Sequence, residues 1–520
     1  MKTIVANAFV MLAKAHAKIF VNEQDVPTQW LADRLLDMAY KLDNRNALAT
    51  YRYGLRQADD HDWTEALNAY QDTLESRTSP PSSFYHHYGM ALIHVGAPSM
   101  AKQAFEMSLH YIPEAYWSYF ELGMIFYREH KFKSAEKCFR QVIKLSAEHD
   151  WAYLYLAHSL VTQDFEQNCD EAIDLYIEFA KRQPNNPASY HQLRNFLLLA
   201  PRKHKLLADQ LEEIIRQNPD CEFPYWMLGW IKSAQFQPTR AMAYFKNVFA
   251  LRHSRNDLRH ADLLDPEAKP MAPTFIIVGS VKSGTTSLFA WLGDHPNFIA
   301  PLQKEARFLN YFFDCGINWY REHFPRVKNH DGLITGEASP GYIYRANRAQ
   351  ALKDEFPNLK LVLLHRNPVE RSYSEYQMRR KDGTEFRSWG EAVVSELKER
   401  GDKLPDVSTD FSSDKGYLAR SCTLFPLQQW LEVFPKEQFL LIKSETLFEN
   451  PAEVMNQVCD FLGISHFEAL SYPAQNVGSY SKKIKPEIAQ RLEAYFRPHE
   501  EALAHFVQEA ELNVIGDFLK

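Results

Sequence analysis

A triplet of small, small and aromatic residues returns at fixed spacing along the first half of the chain. Gly89, Ala101 and Phe105 are followed 34 residues later by Gly123, Ala135 and Phe139. Gly54, Ala66 and Tyr70 form an earlier copy, and Gly229, Ala241 and Phe245 a later one. The copy that begins at Ala157 carries three inserted residues and runs on to Ala172 and Tyr176, and a weaker copy lies around 187–220. A period of this length denotes helical hairpins that must stack, because one hairpin alone cannot bury its apolar face. The two small residues let antiparallel helices approach closely. The aromatic, four residues after the alanine and on the same face, is expected to fill the space against the next hairpin.

This pattern, with leucines before the small residue (Leu122, Leu156, Leu228) and prolines after the second helix (Pro113, Pro184, Pro219), resembles the tetratricopeptide (TPR) repeat. Five recognisable repeats imply an α-helical TPR solenoid over residues 47–253. The resemblance implies a surface for a peptide, another protein or self-association; the motif residues themselves read as solenoid core. Residues 1–46 are expected to form a helical cap, with Ile4, Phe9, Leu12 and Ile19 at helical spacing. Lys14, His16 and Lys18 interrupt that run and no small-residue cleavage site follows, which disfavours a signal peptide. No apolar run approaches the ~18 residues of a membrane span. Residues 254–272 lose the periodicity, become charged and proline-bearing, and read as a linker.

At 520 residues two or three domains are expected, and a net charge of -7 argues against coating nucleic acid or anionic lipid through bulk charge. Six cysteines are scattered with no C-x-x-C pair, so neither a zinc site nor a disulfide framework is suggested. Reduced thiols favour a cytoplasmic location.

The chemistry begins at Pro273. Phe275–Gly279 is a continuous apolar run ended by glycine, the signature of a buried parallel strand. Ser280-Val281-Lys282-Ser283-Gly284-Thr285-Thr286-Ser287 follows, then the apolar-periodic segment from Leu288 to Leu292. Strand, hydroxyl-rich glycine loop and helix cradle phosphate through backbone N–H groups and the helix N-terminus. An ATP-type loop, G-x-x-x-x-G-K-[ST], would place lysine where Thr285 stands; here the lysine comes earlier, at Lys282. A kinase-like phosphotransferase is therefore the weaker alternative. A second apolar strand, Leu359–Leu364, precedes His365-Arg366-Asn367-Pro368-Val369-Glu370-Arg371-Ser372-Tyr373-Ser374.

K-S-G-T-T-S-L after one strand and R-N-P-x-x-R-x-x-S after another resemble the sulfotransferases that use 3′-phosphoadenosine 5′-phosphosulfate (PAPS). The resemblance runs from Pro273 to about Phe518 and implies an α/β three-layer, P-loop-like sulfotransferase domain with a parallel sheet over 273–520. It implies that Lys282, Ser283, Gly284, Thr285, Thr286 and Ser287 hold the 5′-phosphosulfate, and that Arg366 and Ser374 grip the 3′-phosphate. Arginine suits that task because its fork binds phosphate bidentately. Arg371 is an even choice between structure and binding. Lys304-Glu305-Ala306-Arg307-Phe308-Leu309 resembles the K-E-x-x-F-F segment of the heparan-sulfate and tyrosylprotein-like branch. There the glutamate is the catalytic base, which implies Glu305 as base with Lys304 beside it. Gly336–Tyr342 resembles the G-E-x-[ST]-P-x-Y turn, Tyr417 falls where relatives enclose the adenine, and Lys482 and Lys483 fall where relatives close a basic loop over the nucleotide.

Such an enzyme transfers a sulfuryl group from PAPS, leaving PAP, to a hydroxyl or amine of a glycan, peptide or carrier-bound acceptor. The cations Lys282, Lys304 and Arg366 make a metal unnecessary, and no ligand cluster stands out. A TPR scaffold with a decayed catalytic domain is the other alternative, and intact Lys282, Glu305, Arg366 and Ser374 argue against it.

Overall fold

The structure is a computed structural model that describes residues 2–19, 34–35, 38–42, 46–76, 79–254, 260–381, 385, 387–400, 403–405, 416–469, 471–475 and 484–518. By internal contacts it divides into two compact units, Met1–Arg182 and Gln183–Lys520.

Among the described residues, the regular elements of the first unit are all helices. Lys2–Ile19 buries Ala6, Val10 and Ala13 with Phe9 packed against them, whereas Leu12, expected on that face, is exposed. The side chains of Ile4 and Ile19 lie outside the described residues. Hairpins follow as Ala47–Asp59 with Trp63–Leu74, Phe84–His94 with Pro98–Tyr111, Tyr116–Arg128 with Phe132–Leu145, and Asp150–Gln163 with Phe165–Arg182. The repeat triplet explains itself in the packing. A methyl group added at Gly123 would stand 2.8 Å from the Phe139 ring, and one at Gly54 2.5 Å from Tyr70. The aromatic therefore seats on the glycine of its own hairpin, and its edge then meets the next one, as Tyr70 meets Phe84 at 5.8 Å.

The second unit opens with two more hairpins, Pro187–Phe196 with His204–Gln217 and Glu222–Ala234 with Pro238–His253. These pack on the α/β part of the same unit through aromatic rings. Trp230 lies 5.0 Å from Phe312 and 5.7 Å from Trp319, and Phe245 lies 4.8 Å from His323. Trp319 Nε1 donates to Ser233 Oγ at 2.7 Å, and burial lowers the His323 pKa to about 3, so that ring is neutral. The segment expected as a linker is pinned in its described part: Leu264 bridges Val327, Pro270 bridges Arg326, and Leu264 and Met271 are buried. Trp230→Ala is expected to cost about 3–5 kcal/mol, as for a large buried aromatic. Chemical denaturation of the full chain reads that loss.

Among the described residues, five parallel strands follow in the order β2-β1-β3-β4-β5. They are β1 (Phe275–Gly279), β2 (Gly336–Glu337), β3 (Lys360–His365), β4 (Phe439–Lys443) and β5 (Asn513–Ile515). Phe275, Ile277, Val362, Leu364, Leu440 and Ile442 form one core with Leu288 and Trp291 of the helix Thr285–Gly293 and Val454 and Val458 of the helix Pro451–Leu462. Ile276, Val278, Leu361, Leu363 and Leu441 on the opposite face are buried too. Both faces are thus covered, as an all-parallel sheet requires. The helix Ser444–Glu449 follows directly on β4. All six cysteines are buried free thiols. Among the described residues, no helix is long and apolar enough to cross a membrane.

Candidate active site

β1, β3 and β4 are neighbours and parallel, so the segments that leave their C-terminal ends converge on one edge of the sheet, where open α/β sheets bind ligands. The loop after β1 is braced from behind. Val281 O accepts from Arg371 Nη1 at 3.4 Å, Lys282 O from Arg366 Nη1 at 3.1 Å, and Ser283 O from Ser444 Oγ at 2.7 Å. Three successive carbonyls are fixed by residues that follow β3 and β4. Gly284 sits at φ 92°, where a side chain would be strained and a Cβ would meet the Phe448 ring at 3.0 Å. No side chain caps the helix Thr285–Gly293, and Ser283 Oγ is buried without a partner among the described residues. An uncapped helix start beside an orphaned hydroxyl suits an anion.

Arg371 is fully buried, donating to Ser421 Oγ at 2.8 Å and Tyr417 O at 2.8 Å and pairing with Glu375 at 2.8 Å. It braces the loop from behind. Asn367 caps the helix Pro368–Lys381, its Oδ1 accepting from Val369 N and Glu370 N at 3.0 and 3.2 Å. Arg366 also pairs with the exposed Glu370 at 3.0 Å. Such an exposed pair is worth about 0–1 kcal/mol, so an incoming phosphate can displace it. Ser374 lies buried on the same helix.

Lys304 joins the phosphate-type loop to the acidic segment: its Nζ donates to Thr286 Oγ1 at 2.9 Å and to Glu305 Oε1 at 3.2 Å. Arg307 Nε donates to Glu305 Oε2 at 3.3 Å. Burial alone would raise the Glu305 pKa; Lys304 and Arg307, with Arg194 further off, override it and hold the carboxyl below its ordinary value. Glu305 is therefore an anion at neutral pH, and its side chain remains 29% exposed.

The Gly336–Tyr342 turn is the mould for this segment. Glu337, fully buried, accepts from Ala306 N at 3.0 Å, Ser339 Oγ at 2.5 Å and Tyr320 OH at 2.8 Å. Tyr342 OH accepts from Phe308 N at 2.7 Å, and Lys304 O from Ala338 N at 2.8 Å. The motif was visible in the sequence, but this supporting role was not. Arg194 and Gln303 carried no sequence signal: Arg194 Nη1 donates to Gln303 Oε1 at 2.6 Å, and the Gln303 amide donates to the Glu305 carbonyl.

Two of the expected donor-binding residues have partners within the protein. Ser287 Oγ accepts from Gln475 N at 2.9 Å, and the buried Tyr417 donates its hydroxyl to Glu385 at 2.9 Å. Lys482 and Lys483 lie outside the described residues.

Comparison with known proteins agrees with this arrangement. Residues 272–474 match the sulfotransferase domain family, and 118–149 match the tetratricopeptide repeat. The chain is 30% identical to heparan sulfate glucosamine 3-O-sulfotransferase 6 of Mus musculus, over 44% of this chain and 69% of that protein. It is 28% identical to membrane-associated sulfotransferase kil1 of Dictyostelium discoideum, over 44% of this chain and 64% of that one. Against bifunctional heparan sulfate N-deacetylase/N-sulfotransferase 4 of Mus musculus it is 30% identical, over 42% of this chain and 26% of that protein. The chain belongs to the sulfotransferase family, with TPR-type hairpins N-terminal to the sulfotransferase domain. It spans about two thirds or less of the length of these relatives.

Proposed function

We propose that the chain transfers the sulfuryl group of PAPS to a hydroxyl or amine of a glycan, with Glu305 as general base. One observation carries this reading: Lys304 touches both Glu305 and Thr286, so a carboxylate base and an anion-binding loop lie one side chain apart. The relatives named for heparan sulfate support a glycan acceptor.

In this reading the braced loop receives the 5′ end of the donor through its N–H groups and the hydroxyls of Ser283, Thr285 and Thr286. Arg366, exchanging Glu370 for phosphate, and Ser374 take the 3′-phosphate. Ser287 and Tyr417 serve from behind, one fixing residue 475 and the other holding Arg371 through its carbonyl. Glu305 accepts the proton of the acceptor as the new bond to sulfur forms and the sulfur–oxygen bond to the 5′-phosphate breaks. The negative charge that gathers on the leaving oxygen of PAP is met by Lys282, on the loop itself, and by Lys304, whose Nζ already lies against Thr286.

PAP at saturation is expected to raise the thermal transition of the full chain, and ATP with magnesium is expected to do so far less. Arg366→Ala is expected to weaken PAP binding about 10–100-fold, the effect of losing charge-assisted bonds to phosphate. Equal stabilisation by ATP and magnesium, or none by PAP, would sink the donor assignment.

A further inference from the structure

The backbone on either side of Arg366 is held by two carboxylates that the proposed reaction does not use. Upstream, His365 closes β3 after four buried apolar residues, Leu361–Leu364, and is itself buried. An apolar side chain there would continue a strand covered on both faces and leave no polar group to satisfy. The histidine is instead bonded at both ring nitrogens: Nε2 lies 2.9 Å from Glu500 Oε2, and Nδ1 lies 3.0 Å from Thr423 Oγ1. Downstream, Asn367 N donates to Glu445 Oε1 at 3.0 Å.

Glu500 stands on the helix Pro486–Glu509 and holds a second buried histidine, His499, whose Nδ1 lies 2.8 Å from Glu500 Oε1. His499 Nε2 accepts from Leu424 N at 3.1 Å, at the start of the helix Leu424–Leu431 and next to Thr423. Burial alone would raise the Glu500 pKa; hydrogen bonds from His365 and His499 override it and lower it to about 2. The carboxylate is therefore an anion that only accepts, and each histidine donates to it. His499, accepting at its other nitrogen, is neutral. Bonds thus run in a ring from His365 to Glu500, to His499, to Leu424 and back through Thr423, and they join the end of β3 to two helices. A fully bonded polar network of this kind rigidifies one arrangement of the elements it links.

What the ring fixes is the place of Arg366. The pairing of β3 with β4 ends at His365 opposite Lys443, so the ladder does not extend to the next residue. The Arg366 side chain is held lightly, by Lys282 O at 3.1 Å and by the exposed Glu370, and its aim follows the backbone that carries it. A guanidinium that grips phosphate through two bonds needs that aim kept within about 0.5 Å. We propose that Glu500, acting through His365, is a positioning residue for the donor's 3′-phosphate: it holds Arg366 where that phosphate binds. This rests on the sulfuryl-transfer reading above, in which Arg366 takes the 3′-phosphate, and deepens it. A helix that contains neither donor motif then sets how strongly the site separates PAPS from a nucleotide without the 3′-phosphate.

The test is calorimetric titration of the full chain with two probes, PAP and adenosine 5′-phosphate, which lacks the 3′-phosphate. The ratio of the two affinities isolates that group. In Glu500→Gln one of the two histidine N–H groups loses its acceptor, and the ratio is expected to fall about 3–30-fold, within the coupling range of residues in one network. The affinity for adenosine 5′-phosphate is expected to stay as it is in the wild type. In an Arg366→Ala background the same substitution is expected to change nothing further, because Glu500 acts through that arginine. Thr423→Val removes the bond at the other ring nitrogen of His365 and keeps the shape of the side chain; it is expected to lower the same ratio, and it carries the test if Glu500→Gln does not fold. A fall of both affinities by one factor, a ratio that neither variant moves, or a full loss that persists in Arg366→Ala overturns the proposal. A wild type that binds the two probes equally would instead overturn the assignment of Arg366 to the 3′-phosphate, and this inference with it.

Discussion

Glu305→Gln is expected to lower kcat by about 10²–10⁴-fold, the usual contribution of a positioned general base, while PAP stabilises the variant as it does the wild type. The amide keeps the shape of the carboxylate and its one oxygen can still accept from Lys304 or Arg307, but it cannot take a proton. Little stability is at risk, because both ion pairs are partly exposed. The pH profile offers an independent check. Lys304 and Arg307 hold the carboxyl below its ordinary value, so the active, deprotonated form persists through neutral and mildly acidic pH. Activity is expected to fall only as the pH drops through that lowered value, and the acid limb of kcat/KM should be displaced to higher pH when Arg307 is replaced by alanine. Steady-state PAP release against pH measures both effects. Full activity in Glu305→Gln would remove the base from the account.

Lys282→Ala is expected to reduce kcat by about 10²–10³-fold, comparable to removing one preorganised donor from a charge-stabilising site. The mutation removes a charge without removing the loop, because the three carbonyls of residues 281–283 are held by Arg371, Arg366 and Ser444 whatever the side chain at 282. PAP binding should therefore weaken less than turnover falls. Lys282 stands at φ 68°, a strain that lysine and alanine share, so the substitution adds none to the backbone. Lys282→Arg keeps a charge at the same backbone position and is the control. If Lys282→Ala lost kcat and PAP affinity in equal proportion, the lysine would be a binding group and not a stabiliser of the leaving oxygen.

Much of this was legible because the signals are local. β1 runs from Phe275 to Gly279 as its apolar residues imply, since a strand buried on both faces needs every position apolar. The hairpins carry their glycine and aromatic where the period places them, because ring and glycine must touch within one repeat. What the sequence could not show depends on distant packing. Arg194 reaches Gln303 across 109 residues, a contact that follows only from Trp230 and Phe245 docking on Phe312, Trp319 and His323. Helical register decided other cases: Thr286 meets Lys304, while Ser287, the next residue, turns its hydroxyl to Gln475. Glu337 was visible as part of a motif, yet its service as the acceptor for the Ala306 N–H belongs to the turn's three-dimensional shape.

The central claim is that Glu305 and the loop at Lys282 move a sulfuryl group from PAPS to a glycan. The most direct measurement incubates the full chain with radiolabelled PAPS and an unsulfated hexuronate–glucosamine polysaccharide, then isolates the glycan and counts the label. Label should enter the glycan with the wild type and fall at least about 100-fold with Glu305→Gln. Equal labelling by the two proteins, or none by a wild type that PAP stabilises, would contradict it.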